Sequence, residues 1–128
     1  MHYCLMLFTK KEKTEDEIEK FLEKYQDINI PGGEYPQLEW DWFEIGGRFK
    51  NSLEINNKCC DMGYASDIQN YDELDCYTFV TDDGEAYSRE WWNGEKIIPN
   101  DDFEERLKTA KDKAREENQF VTIIDYHD

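Results

Sequence analysis

A Gly-Gly-Arg sequence at residues 46–48 has the chemistry needed to hold an anion. Two glycines let the backbone adopt positive φ angles and approach a ligand closely, and an arginine offers a fork of N–H donors to phosphate or carboxylate. Aromatic residues on either side are suited to stack on a base. The candidate anion-binding residues are therefore Gly46, Gly47, Arg48, Trp42 and Phe49. In a second interpretation the glycines form only a tight bend, and Arg48 pairs with Asp41 or Glu44.

Residues near the two chain ends form a second candidate site, which consists of His2, Asp125 and His127. Residues 2–9 and 120–126 both have the composition of β-strands. If the last strand pairs antiparallel with the first, the end of the chain meets its beginning. A carboxylate that orients a histidine ring supports acid–base and metal sites, so this set predicts such a cluster. Histidines at chain ends also occur without a role, and this interpretation stays open.

The four cysteines are Cys4, Cys59, Cys60 and Cys76, and they show no C-x-x-C spacing. Reduced thiols are the expectation for a chain without a disulfide framework in a reducing compartment. The alternative is a zinc site built from Cys59, Cys60, Cys76 and a histidine. No other pairing of nucleophile and base is visible, so we expect no metal and no cofactor, and a binding protein rather than an enzyme.

Acidic residues concentrate between positions 61 and 95, where ten carboxylates stand against one base, a net charge of −9. If they share one face, they create a directed negative field that attracts a basic groove. Adjacent Trp91 and Trp92 point to opposite faces of a strand, so one is expected to be exposed and to anchor a partner. The candidate partner-binding residues are Asp67, Asp72, Glu73, Asp75, Asp82, Asp83, Glu85, Trp91 and Trp92. The alternative is a solvated face that only aids solubility.

The whole chain has 15 basic and 31 acidic residues and a net charge of −16. This charge argues against direct binding to nucleic acid or to an anionic membrane, because both need a cationic face. It favours docking onto a basic protein surface, such as the nucleic-acid channel of another protein. No apolar run is long enough to cross a bilayer and no leader precedes the first strand, so we expect a cytoplasmic protein. Nothing in the sequence predicts an oligomeric state.

The elements that must position these residues follow the order β-α-β-loop-β-β-α-β. A capping box at Thr14 and Glu17 followed by an apolar stripe predicts the first helix, and a second stripe near the end of the chain predicts the other. Asp82-Asp83-Gly84 predicts a hairpin, and residues 54–76 predict an irregular acidic loop. We expect a single domain, 1–128, of the α+β class, with a ferredoxin-like or related antiparallel sheet and two helices packed on one face.

Trp40–Phe49 reads W-D-W-F-E-I-G-G-R-F. This segment resembles the W-D-W-[YF]-x-I-G-G-R-[WF] signature of a family of small uncharacterised proteins from bacteria and their phages, and residues 77–84 are similar to the hairpin of that family. Residues 122–127 are similar to its T-x-V-D-C-H ending, with Tyr126 in the place of the cysteine, and the start Met1-His2-Tyr3 also fits. The resemblance implies a mobile-element setting and no particular activity.

These observations lead to two main functional hypotheses. In the first, the protein is an acidic inhibitor of phage or mobile-element type that mimics nucleic acid and blocks a nucleic-acid-handling defence protein of the host, as anti-CRISPR proteins do. In the second, it binds or sequesters a nucleotide signal at the corner formed by residues 46–48. A third hypothesis is an accessory phage protein with no activity of its own.

Overall fold

The computed structural model describes residues 1–128 as ten strands and two helices. The first elements are β1 (His2–Thr9), α1 (Glu15–Phe21), β2 (Trp42–Ile45), β3 (Leu53–Ile55), β4 (Lys58–Cys60) and β5 (Met62–Tyr64). The remaining elements are β6 (Thr78–Val80), β7 (Ala86–Ser88), β8 (Glu90–Trp92), β9 (Ile97–Pro99), α2 (Phe103–Glu116) and β10 (Phe120–His127). The main sheet has the order β2-β10-β1-β6-β7, and β5 also pairs with β10.

Strand β1 is central to the sheet because it is apolar on both faces. Leu5 and Leu7 pack into one core, and Met6 and Phe8 pack into another, and each of the four is at most 1% exposed. A strand that buries both of its faces needs cover on both sides. The first core is closed by α1 and the second by α2, so the two helices lie on opposite faces of the sheet.

The predicted α+β class is confirmed, whereas the packing of both helices on one face is wrong. Ile18 of α1 belongs to the core of Leu5, and Phe103 of α2 belongs to the core of Met6. The sheet is not wholly antiparallel either, because β1 and β6 run parallel. Parallel neighbours need a long connection, and here residues 10–77 supply it. The ferredoxin-like arrangement is therefore not confirmed.

The segment 54–76 is more ordered than its sequence indicates. It contributes to the β3–β4 hairpin, adds β5 to the edge of β10, and forms 3-10 turns at Ala65–Asp67 and Tyr71–Glu73. Ile68, Tyr71 and Leu74 are buried in the core that α2 closes. Strands of three residues are too short to show a period-2 pattern, which is why sequence periodicity misses them.

The predicted hairpin and the predicted start of the first helix are confirmed. Strands β6 and β7 pair antiparallel, and the turn between them contains Gly84 at a φ of 84°. Thr14 caps α1, since its hydroxyl accepts the Glu17 N–H at 3.2 Å and the Glu17 carboxylate accepts the Thr14 N–H at 2.9 Å. Neither helix combines the length and the apolar character that a membrane span requires.

Candidate functional site

Strand pairing brings the two ends of the chain to one place at the edge of the sheet. His2 of β1 stands opposite His127 of β10, and His127 stands opposite Trp42 of β2. His2, Asp125 and His127 lie together as the sequence predicts. Beside them is an open cleft of about 370 Å³, which we call the corner cleft. It is lined by His2, Trp42, Glu44, Ile45, Gly47, Arg48, Lys50, Asp61 and Asp125.

Each histidine is held by a carboxylate of its own. His2 Nδ1 lies 2.8 Å from Asp125 Oδ1, and His127 Nδ1 lies 2.8 Å from Asp41 Oδ1. The ring centroids of the two histidines are 5.4 Å apart, and the rings meet edge to face. Neither Nε2 has a partner in the protein, and neither is buried. The carboxylates therefore fix the orientation of both rings and leave both Nε2 atoms accessible.

Asp125 links the histidine pair to the glycine corner. Its carboxyl group is fully buried, with Oδ1 on the His2 ring and Oδ2 accepting the backbone N–H of Arg48 at 3.0 Å. A buried carboxylate needs such partners because removing its charge from water costs free energy. Both oxygens of Asp125 are thus used inside the protein.

Gly46 and Gly47 adopt a backbone conformation that the nearby carboxylates of Asp61 and Asp125 require. Their φ angles are 75° and 52°, which side chains disfavour. A Cβ on Gly47 would lie 2.5 Å from the Asp125 Cβ, and one on Gly46 would lie 2.7 Å from the Asp61 Cγ. The close backbone approach that the sequence suggests for an external anion is therefore made to Asp61 and Asp125. Gly47 lines the corner cleft, whereas the N–H of Gly46 donates to the carbonyl of Ile123 at 2.8 Å.

The cationic side chains of the corner cleft have no acidic partner. Arg48 and Lys50 are exposed and form no ion pair within the chain. The predicted alternative in which Arg48 pairs with Asp41 or Glu44 is wrong, because Asp41 is bonded to His127 instead. Trp42 is 42% exposed and lies beside these cations. Phe49 packs against the core that α2 closes, so it is not a stacking residue of the cleft.

The acids of the central hairpin region do not form a single uncompensated face. Three of them make ion pairs with bases: Asp72 with Arg115, Asp75 with Arg89, and Asp82 with Lys113. Asp83 accepts hydrogen bonds from the Thr81 hydroxyl and from the backbone N–H of Glu85. Of the seven predicted acids, four form no ion pair and are exposed: Asp67, Glu73, Asp83 and Glu85. Two of these three bases, Lys113 and Arg115, stand on α2, so that helix offsets part of the negative charge of this region.

Trp91 and Trp92 border a different cleft, of about 200 Å³, which we call the acidic aromatic cleft. Its lining contains no Lys or Arg and includes Glu39, Glu90 and Asp128. Burial raises the pKa of Glu39 and of Asp128, and the surrounding negative charges raise the pKa of both further. This cleft therefore concentrates acids that form no ion pair within the protein.

Cys4 and Cys76 are weakly acidic thiols, and no cysteine belongs to a group of side chains that could hold a metal ion. Burial raises the pKa of Cys4 to about 12, and the nearby charges of Asp75 and Asp125 add to this effect. Burial also raises the pKa of Cys76 well above its ordinary value. Both groups are therefore neutral thiols at neutral pH, which are poor nucleophiles and metal ligands. The zinc alternative is not supported, since no three His, Cys, Asp or Glu side chains are grouped to hold a metal ion.

Fold and site together define an α+β protein whose chain ends carry two histidine–aspartate pairs beside a cleft with unpaired cations. No family model matches the chain, and neither a curated protein nor a solved structure matches it. The resemblance to the bacterial and phage family stays a prediction. Of its segments, Trp40–Phe49, residues 122–127 and the start of the chain all reach the corner cleft or the histidine pair.

Proposed function

We propose that the protein binds a small phosphorylated ligand of the nucleotide type in the corner cleft. The observation that carries the proposal is the pair of unpaired cations, Arg48 and Lys50, beside the exposed ring of Trp42. Guanidinium and ammonium groups are the usual protein partners of phosphate oxygens. An exposed indole offers a face on which a base stacks.

The volume of the corner cleft and the charge of the protein favour a short ligand. The corner cleft measures about 370 Å³, which is within the range of small-molecule sites. A net charge of −16 repels a long polyanion, whereas the two cationic side chains of the cleft, Arg48 and Lys50, match one or two phosphates. A mononucleotide or dinucleotide meets both conditions.

We expect Arg48→Ala to lower the affinity for AMP by about 10- to 100-fold, because a hydrogen bond to a charged group contributes about 1.5–3 kcal/mol. Isothermal titration calorimetry measures this directly. Lys20→Ala is the matched control, since Lys20 is an exposed cation of α1 outside the cleft, and it is expected to leave the affinity unchanged.

Two results would contradict nucleotide binding at the corner cleft. One is an absence of AMP binding by the unmodified protein, and the other is equal loss in the Arg48 and Lys20 variants. The combined substitution Glu39→Gln, Glu90→Gln and Asp128→Asn, in the acidic aromatic cleft, separates this function from the acidic-inhibitor hypothesis. It is expected to leave AMP binding intact, because these acids lie outside the corner cleft.

A second candidate function is the acidic inhibitor, and we infer that its contact surface is the acidic aromatic cleft. Trp92 is 50% exposed and Ile97 is 60% exposed, and both line this cleft next to Glu39, Glu90 and Asp128. Aromatic anchors with charged surroundings are typical of protein-binding sites. The partner in this proposal is a basic surface of a nucleic-acid-handling defence protein in the host cytoplasm, blocked in the manner of an anti-CRISPR protein.

We expect Trp92→Ala to weaken capture of such a partner by at least about 30-fold, the effect of losing an anchor residue. The measurement is affinity capture from host lysate at 0.05 and 0.5 M salt, followed by titration of the purified partner. Capture should fall at the higher salt because exposed charge pairs are screened. Tyr64→Ala, at the opposite end of β10, is the control. Capture that resists salt, or equal loss in the control, would contradict this candidate.

A further inference from the structure

We propose that His2 and His127 act as a general acid and a general base that cleave a short ribonucleotide at a phosphodiester bound in the corner cleft. This inference rests on the proposed nucleotide binding and adds a reaction to it. The observation behind it is that the oriented imidazole of His2 lines the cleft together with the unpaired cations Arg48 and Lys50, and that the imidazole of His127 lies 5.4 Å from that of His2.

The two rings are positioned as a proton acceptor and a proton donor need to be. Each ring hydrogen-bonds to a carboxylate through Nδ1 at 2.8 Å, so each presents Nε2 outward. The rings stand on directly paired residues of β1 and β10, which fix their separation. Groups on rigid strands with their orientation set by a second residue meet the geometric demands of acid–base catalysis.

The proposed reaction takes its nucleophile from the substrate. The side chains that line the corner cleft include no Ser, Thr or Cys, and both oxygens of Asp125 are already bonded. A ribonucleotide carries a hydroxyl group next to its phosphodiester and therefore supplies its own nucleophile. The same substrate lacking the 2′-hydroxyl would bind without reacting.

The reaction is an internal transfer that balances without water or a co-reactant. The neutral imidazole takes the proton of the 2′-hydroxyl while its oxygen forms a bond to phosphorus. The bond between phosphorus and the 5′-oxygen breaks, and the protonated imidazole gives its proton to that oxygen. The products are a 2′,3′-cyclic phosphate and a free 5′-hydroxyl. Arg48 and Lys50 stabilise the negative charge that builds up on the phosphoryl oxygens.

The test uses the whole protein with uridylyl-(3′→5′)-adenosine and with the analogue that lacks the uridine 2′-hydroxyl. Chromatography is expected to show uridine 2′,3′-cyclic phosphate and adenosine from the first compound and no product from the second. His2→Asn and His127→Asn are each expected to lower the rate by about 10²- to 10⁴-fold. Both variants should bind the deoxy analogue within about threefold of the unmodified protein.

Asp41→Asn provides a variant that leaves the buried part of the site intact. Asp41 is an exposed positioning residue for His127, and its loss is expected to lower kcat by about 10- to 100-fold while KM stays unchanged. Lys20→Ala should keep full activity. The double variant His2→Asn/His127→Asn, purified identically, must show no cleavage, which separates the protein from a contaminating ribonuclease.

The outcomes distinguish this inference from the function on which it rests. Binding of the deoxy analogue that depends on Arg48, without cleavage of the ribonucleotide, overturns the acid–base role and leaves nucleotide binding in place. Cleavage that persists in the double variant also overturns it. Failure of both compounds to bind overturns the two proposals together.

Discussion

Replacing Gly47 by alanine is expected to lower the free energy of unfolding by about 2–4 kcal/mol, because a strained φ and an overpacked site add together. The backbone of Gly47 has a φ of 52°, and a new Cβ would lie 2.5 Å from the Cβ and the Oδ2 of Asp125. Asp125 is fully buried and cannot move away without losing its partners. Urea denaturation followed by tryptophan fluorescence measures the change.

Gly32→Ala is the matched control for this substitution. No heavy atom lies within 4 Å of a Cβ at Gly32, and its φ is not positive. We expect its effect to stay within about 0.5 kcal/mol, as for ordinary surface substitutions. Equal stability of the two variants would mean that the glycine corner does not wrap around Asp125 as described.

The second large effect is expected for Asp125→Ala, which should destabilise the protein by about 2–4 kcal/mol. The substitution removes the acceptor of two hydrogen bonds, one from the His2 ring and one from the backbone N–H of Arg48. A donor that loses its partner in a buried position cannot regain it from water. The same denaturation experiment measures the loss.

Asp41→Ala tests whether burial is the cause of that effect. Asp41 makes an equivalent 2.8 Å contact to His127, but both side chains of this pair are about 40% exposed. Exposed pairs contribute little to stability, so the expected loss is below about 1 kcal/mol. A loss as large as that of Asp125→Ala would contradict the distinction between the buried and the exposed histidine–aspartate pair.

The meeting of the chain ends could be predicted from sequence because it needs only one assumption. Residues 2–9 and 120–126 read as strands by composition, and an antiparallel pairing of the two places His2 opposite His127. The glycine corner was also recognisable, since two consecutive glycines before an arginine indicate an unusual backbone. These local patterns identify most of the residues that form the corner cleft.

Longer-range features of the site could not be read from local patterns. Arg89 forms an ion pair with Glu104 of α2. Asp72 forms an ion pair with Arg115, which lies more than 40 residues later in the sequence. A charge count over residues 61–95 takes no account of such pairs, so it overestimates the uncompensated negative charge of this region. Lys50 was missed as a second cation of the cleft, although it stands two positions after Arg48.

The sequence also does not predict which face of the sheet each helix covers. An apolar stripe indicates that a helix packs against a sheet, but it does not indicate which face of the sheet the helix covers. The two-sided apolar pattern of β1 was the one available signal, because it requires cover above and below. If each face of β1 needs its own cover, one helix must pack over Leu5 and the other over Met6, as the structure shows.

The most direct test of nucleotide binding uses the fact that the protein has only two histidines, of which His2 lines the corner cleft and His127 contacts the His2 ring. In NMR spectra of the imidazole signals, titration with AMP is predicted to shift the resonances of both His2 and His127 in a saturable way. The indole N–H signal of Trp42 should shift with them, and Arg48→Ala should abolish all three responses. Imidazole signals that stay unmoved at saturating AMP would contradict the account.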